Sequence, residues 1–296
     1  MQRVGLLIIA FLFSANLYAQ VDLRTINDTE QSFEQAAQSK GAKVAFLAYL
    51  ADDAIVFRPE PVNGKEFWRS HDDLATMLLS RNVTYSDVAS NGLMGYTTGN
   101  WRLYPRGKSE SGAKFGQYVT IWEKKVDGKF YATIDIAIEH EKLPFSVTDL
   151  PMPGGQSHDP NKRGWSPADA SMKFLRTSMS GSALGGAYQL YAGKDVRLLR
   201  DAEPPIIGKK NVISETRHYV SVKFPEKVVL YQSADMAYTW NPCEYANSNE
   251  GMEKGNCLHI WKLRNKKWWI VLGVFSKVPN ETPPTLKMKQ RNTASQ

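Results

Sequence analysis

The sequence predicts an α+β protein made of two tandem copies of one unit, each with N-terminal helices followed by an antiparallel run of strands. Three observations predict this. The stretch AYLADDAIVFRPEPVNGK at Ala48–Lys65 returns in weaker form as YQLYAGKDVRLLRDAEPPIIGK at Tyr188–Lys209. Asp53 and Arg58 stand five residues apart, as do Asp195 and Arg200, and 38 residues separate Arg58 from Tyr96 just as they separate Arg200 from Tyr238. Three more segments then answer one another in order: GYTTG at Gly95–Gly99 with AYTWN at Ala237–Asn241, GQYVTIWEK at Gly116–Lys124 with GNCLHIWKL at Gly255–Leu263, and DGKF with NKKW. Coincidence explains such a series poorly, and internal duplication explains it directly.

The elements follow in order. Residues 1–19, MQRVGLLIIAFLFSANLYA, place Arg3 before an apolar run and end on small residues, the pattern of a secretory signal peptide cleaved after Ala19. The run is too short for a permanent membrane span, so the expectation is a periplasmic or secreted protein with no stable membrane insertion. Arg3 is the only charge in that segment. The remaining 277 residues therefore carry +6, and their basic residues are dispersed apart from the tail Lys287–Arg291. Nucleic-acid binders concentrate charge on one face, so no nucleic-acid partner is expected.

From Glu30 the apolar positions Phe33, Ala36, Ala37, Val44, Leu47 and Ala48 recur at helical spacing, with Gly41 between, which predicts two consecutive helices. Ala54–Arg58 reads as a short strand ended by Pro59 and Pro61. Asn63 with Glu66 three residues on reads as an N-cap opening a helix to about Leu79. Strands are predicted near 83–90, 93–104, 115–126 and 130–139, separated by turn residues such as Asn91-Gly92 and Asp127-Gly128. The proline- and glycine-rich residues 144–165 read as a linker. Ser166, Pro167 and Asp169 supply an N-cap, a proline at the first helical position and an acid in the first turn, and the order begins again. The expected domains are 20–143 and a divergent 166–279, with residues 280–296 as a flexible basic tail. At 42% hydrophobic and 11% aromatic residues there is material for two cores.

The segments FLAYLADDAIVFRP, NGKEFW, GYTTGNW, GQYVTIWEK and DGKFYATID resemble the nuclear transport factor 2-like superfamily in its SnoaL-like bacterial branch. The resemblance covers most of Glu30–His140 and, in degraded form, about Pro167–Val278. It implies cone-shaped, cystatin-like α+β domains in which a curved antiparallel sheet wraps the helices around an apolar pocket. It also implies an internal pseudo-dimer of the two domains, because single-domain relatives commonly pair through their sheets. Where such proteins are enzymes, an Asp, His or Tyr in the pocket acts on a small organic ligand.

Candidate chemistry is sparse. Asp135 could act as a general base in an apolar pocket, with His71 or Tyr118 beside it. Against this, strand alternation sets Asp135 opposite Phe130, Ala132, Ile134 and Ile136, so it turns away from the cavity if that apolar set faces the helices. Its counterpart in the second unit is Gly273. Arg58, like Arg200, could hold a ligand carboxylate, tie down Asp53 or the proline loop, or stack on Trp68. Tyr96, Tyr118 and Trp122, with Tyr238 and Trp261 in the second copy, offer flat apolar surface to a ligand or simply fill the core. His140 ends the first meander, and His259 has no evident acidic partner. Five scattered histidines and two cysteines match no metal-ligand spacing, and no nucleotide or dinucleotide motif is present, so no metal and no cofactor are expected. Cys243 and Cys257 are expected to form a disulfide that puts a staple where the first unit has Tyr118.

Three functions remain open on these residues. The first is binding of a small, largely apolar molecule in the first-domain pocket, through Arg58, Trp68, Tyr96 and Trp122. The second is a cofactor-independent isomerase, dehydratase or hydrolase using Asp135 with His71 or Tyr118. The third is a structural or partner-binding role.

Overall fold

The structure, a computed structural model, describes residues 23–71, 75–106, 112–143, 165–180, 183–224, 228–247 and 251–279. The predicted export segment, nearly all of the predicted linker and the basic tail lie outside them. In the first unit α1 (23–40) and α2 (Ala42–Tyr49) precede β1 (Leu50–Phe57), β2 (Pro61–Asn63) and α3 (Gly64–Ser70). The meander β3 (Met77–Val88), β4 (Met94–Pro105), β5 (Lys114–Lys124) and β6 (Phe130–His140) follows. Asn63 caps α3 by accepting from the Glu66 N–H at 2.9 Å. The helix stops at Ser70 rather than Leu79, because Met77–Leu79 pair with Leu103–Pro105 as the start of β3.

The second unit repeats the order with α4 (Pro167–Met179), α5 (Ala183–Tyr191), β7 (Ala192–Arg200), β8 (Ile206–Ile207) and α6 (Lys209–Thr216). The strands β9 (Tyr219–Lys223), β10 (Val229–Ser233), β11 (Met236–Asn247), β12 (Gly251–Arg264) and β13 (Lys267–Val278) complete it. Ser166 and Asp169 form a reciprocal capping box with Pro167 at the first position of α4. Sheet order is β2-β1-β6-β5-β4-β3 in one unit and β10-β11-β12-β13-β7-β8 in the other, with β9 also on β11. The single long β3 of the first unit thus corresponds to β9 and β10 together.

Both sheets are mixed, not wholly antiparallel. β1 lies parallel to β6, and β7 parallel to β13. Parallel neighbours need a long crossover, and between β1 and β6 it is provided by α3 with four strands, β2 to β5. The registers coincide across the two units. Leu50 opposes Ala132 as Ala192 opposes Ile270, and a slip in register falls between Ile121 and Trp122 as between Ile260 and Trp261. Trp122 Nε1 donates to Thr97 Oγ1 at 2.9 Å, and Trp261 Nε1 to Thr239 Oγ1 at 3.0 Å.

That slip decides which way β6 faces. Phe130 and Ala132 pack under the helices with Trp122, whereas Ile134, Ile136 and Ile138 join a core shared with Leu199, Leu258, Ile260 and Val274 of the other sheet. The extra residue at Thr133 exchanges the two faces of the strand. The expected alternation therefore breaks midway, and Asp135 ends on the helix side. Beyond the shared core, Ala202 N–H donates to Glu139 O at 2.7 Å, Ser90 N–H to Asp235 Oδ1 at 2.7 Å, and Asn256 Nδ2 to Pro59 O at 2.8 Å.

Cys243 and Cys257 are joined, and among the described residues no cysteine is free. The bridge closes a loop with a sequence separation of 14. Replacing both cysteines by serine is expected to lower stability by about 3 kcal/mol on chain entropy, read as a lower urea midpoint. An unchanged midpoint would refute that contribution. Among the described residues no helix is long and apolar enough to cross a membrane.

Candidate functional site

A cavity of about 320 Å³ opens in the first unit between α2, α3 and the meander. Its apolar walls are Phe46, Phe67, Trp68, Leu79, Trp101, Leu103, Tyr118 and Ala137, and its charged groups are Arg58, Arg81, Lys114, Asp135 and Glu139. The cap at Asn63 sets the start of α3, and α3 carries Phe67 and Trp68 inward. Trp68 stacks on Phe46 with ring centroids 4.4 Å apart. Arg58, at the end of β1, has its guanidinium carbon 5.7 Å from the Trp68 ring centre and 5.8 Å from that of Phe67. Its Nη1 donates to Phe57 O at 2.8 Å. Burial lowers the pKa of Arg58, Asp135 opposes that shift, and the nearby positive charge of Arg81 reinforces it.

Behind this wall lies a buried polar network. Arg81 Nη2 donates to Asp135 Oδ2 and to Thr120 Oγ1, both at 2.7 Å, and Thr120 Oγ1 also lies 2.7 Å from the same carboxylate oxygen. The Arg81 guanidinium covers the Tyr118 ring at 3.6 Å and reaches Glu30 Oε1 at 3.5 Å. Glu30 accepts in turn from Thr97 Oγ1 at 2.6 Å. Burial raises the Glu30 pKa against the pull of Arg81 and Thr97, and it raises the Tyr118 phenol well above its usual value, with the Glu30 charge adding to the effect. Burial works against the charge on Arg81, yet Asp135 and Glu30 more than compensate, so Arg81 stays cationic. Asp135 does reach the cavity, with its Oδ2 held by the Arg81 guanidinium and the Thr120 hydroxyl.

Arg58, Trp68, Tyr118 and Asp135 are brought together here, while the other predicted residues are not. His71 is exposed as the C-cap of α3, its ring stacked on Phe67 at 4.2 Å and its Nδ1 2.9 Å from Phe67 O. His140 Nδ1 lies 2.7 Å from Glu141 O, beside a separate shallow groove lined by Asn82 and Phe115. Tyr96, expected at the ligand, sits in the core between the sheets, because β4 turns that face towards the second unit. Trp122, also expected there, is wholly buried under the helices with its indole bound to Thr97. Asp53 is exposed and does not pair with Arg58. Glu30, Arg81, Thr120 and Lys114 were missed. The available signal was Arg81 itself, a lone charge on the Leu79-Arg81-Val83-Tyr85 period of β3.

The second unit fills the same space. By register, Ala137 opposite Tyr118 corresponds to Phe275 opposite Cys257, and Leu103 opposite Lys114 to Tyr245 opposite Glu253. Tyr245 and Phe275 pack at 4.6 Å. Thr120 and Asp135 correspond to His259 and Gly273, where Tyr188 Oη lies 3.1 Å from His259 Nε2. A Cβ on Gly273 would stand 2.9 Å from that hydroxyl, so the glycine admits the tyrosine. Among the described residues no three His, Cys, Asp or Glu side chains group as a metal site would require.

Solved nuclear transport factor 2-like and ketosteroid isomerase-like proteins are its structural neighbours. A putative ketosteroid isomerase from Parabacteroides distasonis is similar at 15% identity and a TM-score of 0.30, over 38% of this chain and 84% of the other. A ketosteroid isomerase-like protein from Erwinia carotovora is similar at 19% identity and a TM-score of 0.32, over 38% and 94%. A nuclear transport factor 2-like superfamily protein from Salmonella enterica is similar at 9% identity and a TM-score of 0.32, over 40% and 92%. No protein-family model matches the chain, and no curated protein matches it.

Proposed function

We propose that the first unit, 20–143, binds a small and largely apolar organic molecule in its cavity, and that the second, 166–279, is its structural partner in an internal pseudo-dimer. The observation that carries this reading is the contrast at one position. Ala137 leaves the space open, whereas Phe275 closes it against Tyr245 in an otherwise matching register. A cavity of about 320 Å³ with mostly apolar and aromatic walls, and charged groups at Arg58, Arg81, Lys114, Asp135 and Glu139, has the size of a small-molecule site. Export to the periplasm or beyond agrees with the disulfide, which persists in oxidising compartments.

Native mass spectrometry of protein purified from an exporting host tests the reading. A co-purifying small molecule is expected on the unaltered chain and is expected to be lost in Ala137→Phe, which fills the cavity as the second unit does. Retention of that molecule by the variant would refute the assignment. Turnover by Asp135 with Tyr118 is the second reading, favoured by both side chains lining the cavity. It predicts loss of any ligand conversion in Asp135→Asn with binding retained.

A further inference from the structure

We propose that the ligand of this cavity is an organic acid whose single anionic oxygen group sits on Arg58. The inference rests on the cavity being a binding site and concerns what distinguishes the molecule it takes. It follows from comparing the one strand-end arginine common to both units.

In the second unit that arginine is neutralised by the protein itself. Arg200 Nη1 donates to Glu203 Oε1 at 2.7 Å and Arg200 Nη2 to Glu253 Oε2 at 3.3 Å, with the Tyr219 ring 4.6 Å from its guanidinium carbon. Neither ion pair has an equivalent in the first unit. The corner after Arg58 is two residues shorter than that after Arg200, and its acid, Glu60, is exposed and makes no ion pair with Arg58, while the strand partner of Leu103 is Lys114 where the partner of Tyr245 is Glu253. The rim ion pair is inverted accordingly, Lys114 with Glu139 at 3.0 Å against Glu253 with Lys277 at 3.3 Å. The first unit has thus kept the arginine without either ion pair and gained a cation at the mouth.

No acid in the cavity wall is left to serve Arg58. Asp135 is held by Arg81 and Thr120, and Glu139 by Lys114. Among the described residues no carboxylate lies within ion-pair distance of Arg58, whose guanidinium donates to Phe57 O. A guanidinium has five N–H donors in a planar fork suited to two oxygens of one anion. Leaving such a charge against aromatic walls without a counter-ion is unfavourable, and a bound anion relieves it. The Arg58–Pro59 corner is fixed from outside by Asn256 of the second unit, so the fork is presented by a loop that the pseudo-partner holds in place. The ligand's apolar body would then lie on Trp68, Phe67 and the open space over Ala137.

Two fluorescent probes that differ by one charge test this on the full chain: anilinonaphthalene sulfonate, and phenylnaphthylamine, which lacks the sulfonate. The unaltered protein is expected to bind the sulfonate at least about tenfold more tightly than the neutral probe, the size expected for a hydrogen-bonded ion pair. The ratio of the two affinities is expected to fall towards one in Arg58→Gln and in Lys114→Glu, which restores the acid found in the second unit, while Ala137→Phe weakens both probes. Lys114 is exposed, so its variant keeps the test open should Arg58→Gln fold poorly. Equal affinities on the unaltered protein would overturn the acid preference and leave the cavity reading standing. Failure of both probes to bind would overturn the two together. Sulfonate binding that survives Ala137→Phe would place the dye elsewhere and refute the assignment to Arg58.

Discussion

Acidification from pH 6.5 to about 4.5 is expected to cost the folded protein roughly 2–3 kcal/mol through His259 alone. Burial lowers this imidazole from 6.5 to about 3. Its neighbours are Tyr188 and the ring of Phe174, 4.8 Å away, and the Tyr188 hydroxyl is a neutral partner. The sign follows from proton counting. Below 6.5 the unfolded chain takes up a proton that the native state refuses, so stability is full above 6.5 and is lost as the pH falls towards 3, by about 1.4 kcal/mol per unit. Glu30 acts in the opposite sense, since burial raises its carboxyl and stability is lost as the pH rises from 4.5 through that raised value. Urea titrations of the unaltered chain and of His259→Gln across this range separate the two, because the Glu30 contribution is common to both proteins. The difference between them should open as the pH falls. Parallel pH profiles would show that the imidazole is protonated in the native state.

The second large effect lies at Arg81. Its replacement by methionine leaves Asp135 and Glu30 buried without their cation, and removing one member of a buried charge network costs about 3–5 kcal/mol. The triple variant Arg81→Met, Asp135→Leu, Glu30→Gln removes the whole charge set and is expected to recover most of the loss, since apolar packing replaces buried ions at little cost. Equal losses in the single and triple variants would mean that Arg81 contributes packing against Tyr118 and Phe33 instead of charge. Asp135→Asn alone should cost less than Arg81→Met, because a neutral amide still accepts from Arg81 and Thr120.

Repeat spacing made the duplication legible, and the matching registers at Leu50 and Ala192 carry it into three dimensions. The caps at Asn63 and Ser166 were readable because they are local hydrogen bonds between neighbours in the chain. What resisted was set at a distance. The parallel seating of β1 on β6 depends on which edge the chain returns to, and nothing within LADDAIVF encodes it. The helix drawn to Leu79 failed because cross-strand partners at Leu103–Pro105, remote in sequence, claim Met77–Leu79. Asp135 was found as a residue, but its direction hung on one extra residue at Thr133, and a strict period of two cannot register a bulge. Arg81 and Glu30 went unnoticed because each is an ordinary charge until β3 and α1 bring them together.

The inverted rim pair has a consequence for how such a site could arise. In a symmetric dimer of identical chains every substitution is made twice, at both ends of the two-fold axis. An acid placed to quench one arginine would quench its twin, and an aromatic that plugs one hollow would plug the other. Lys114 facing Glu139 in one half and Glu253 facing Lys277 in the other is a state that identical protomers cannot reach. A single polypeptide carrying both halves escapes that bond, so one half can lose its vacancy to rigidity while the other keeps an unspent charge.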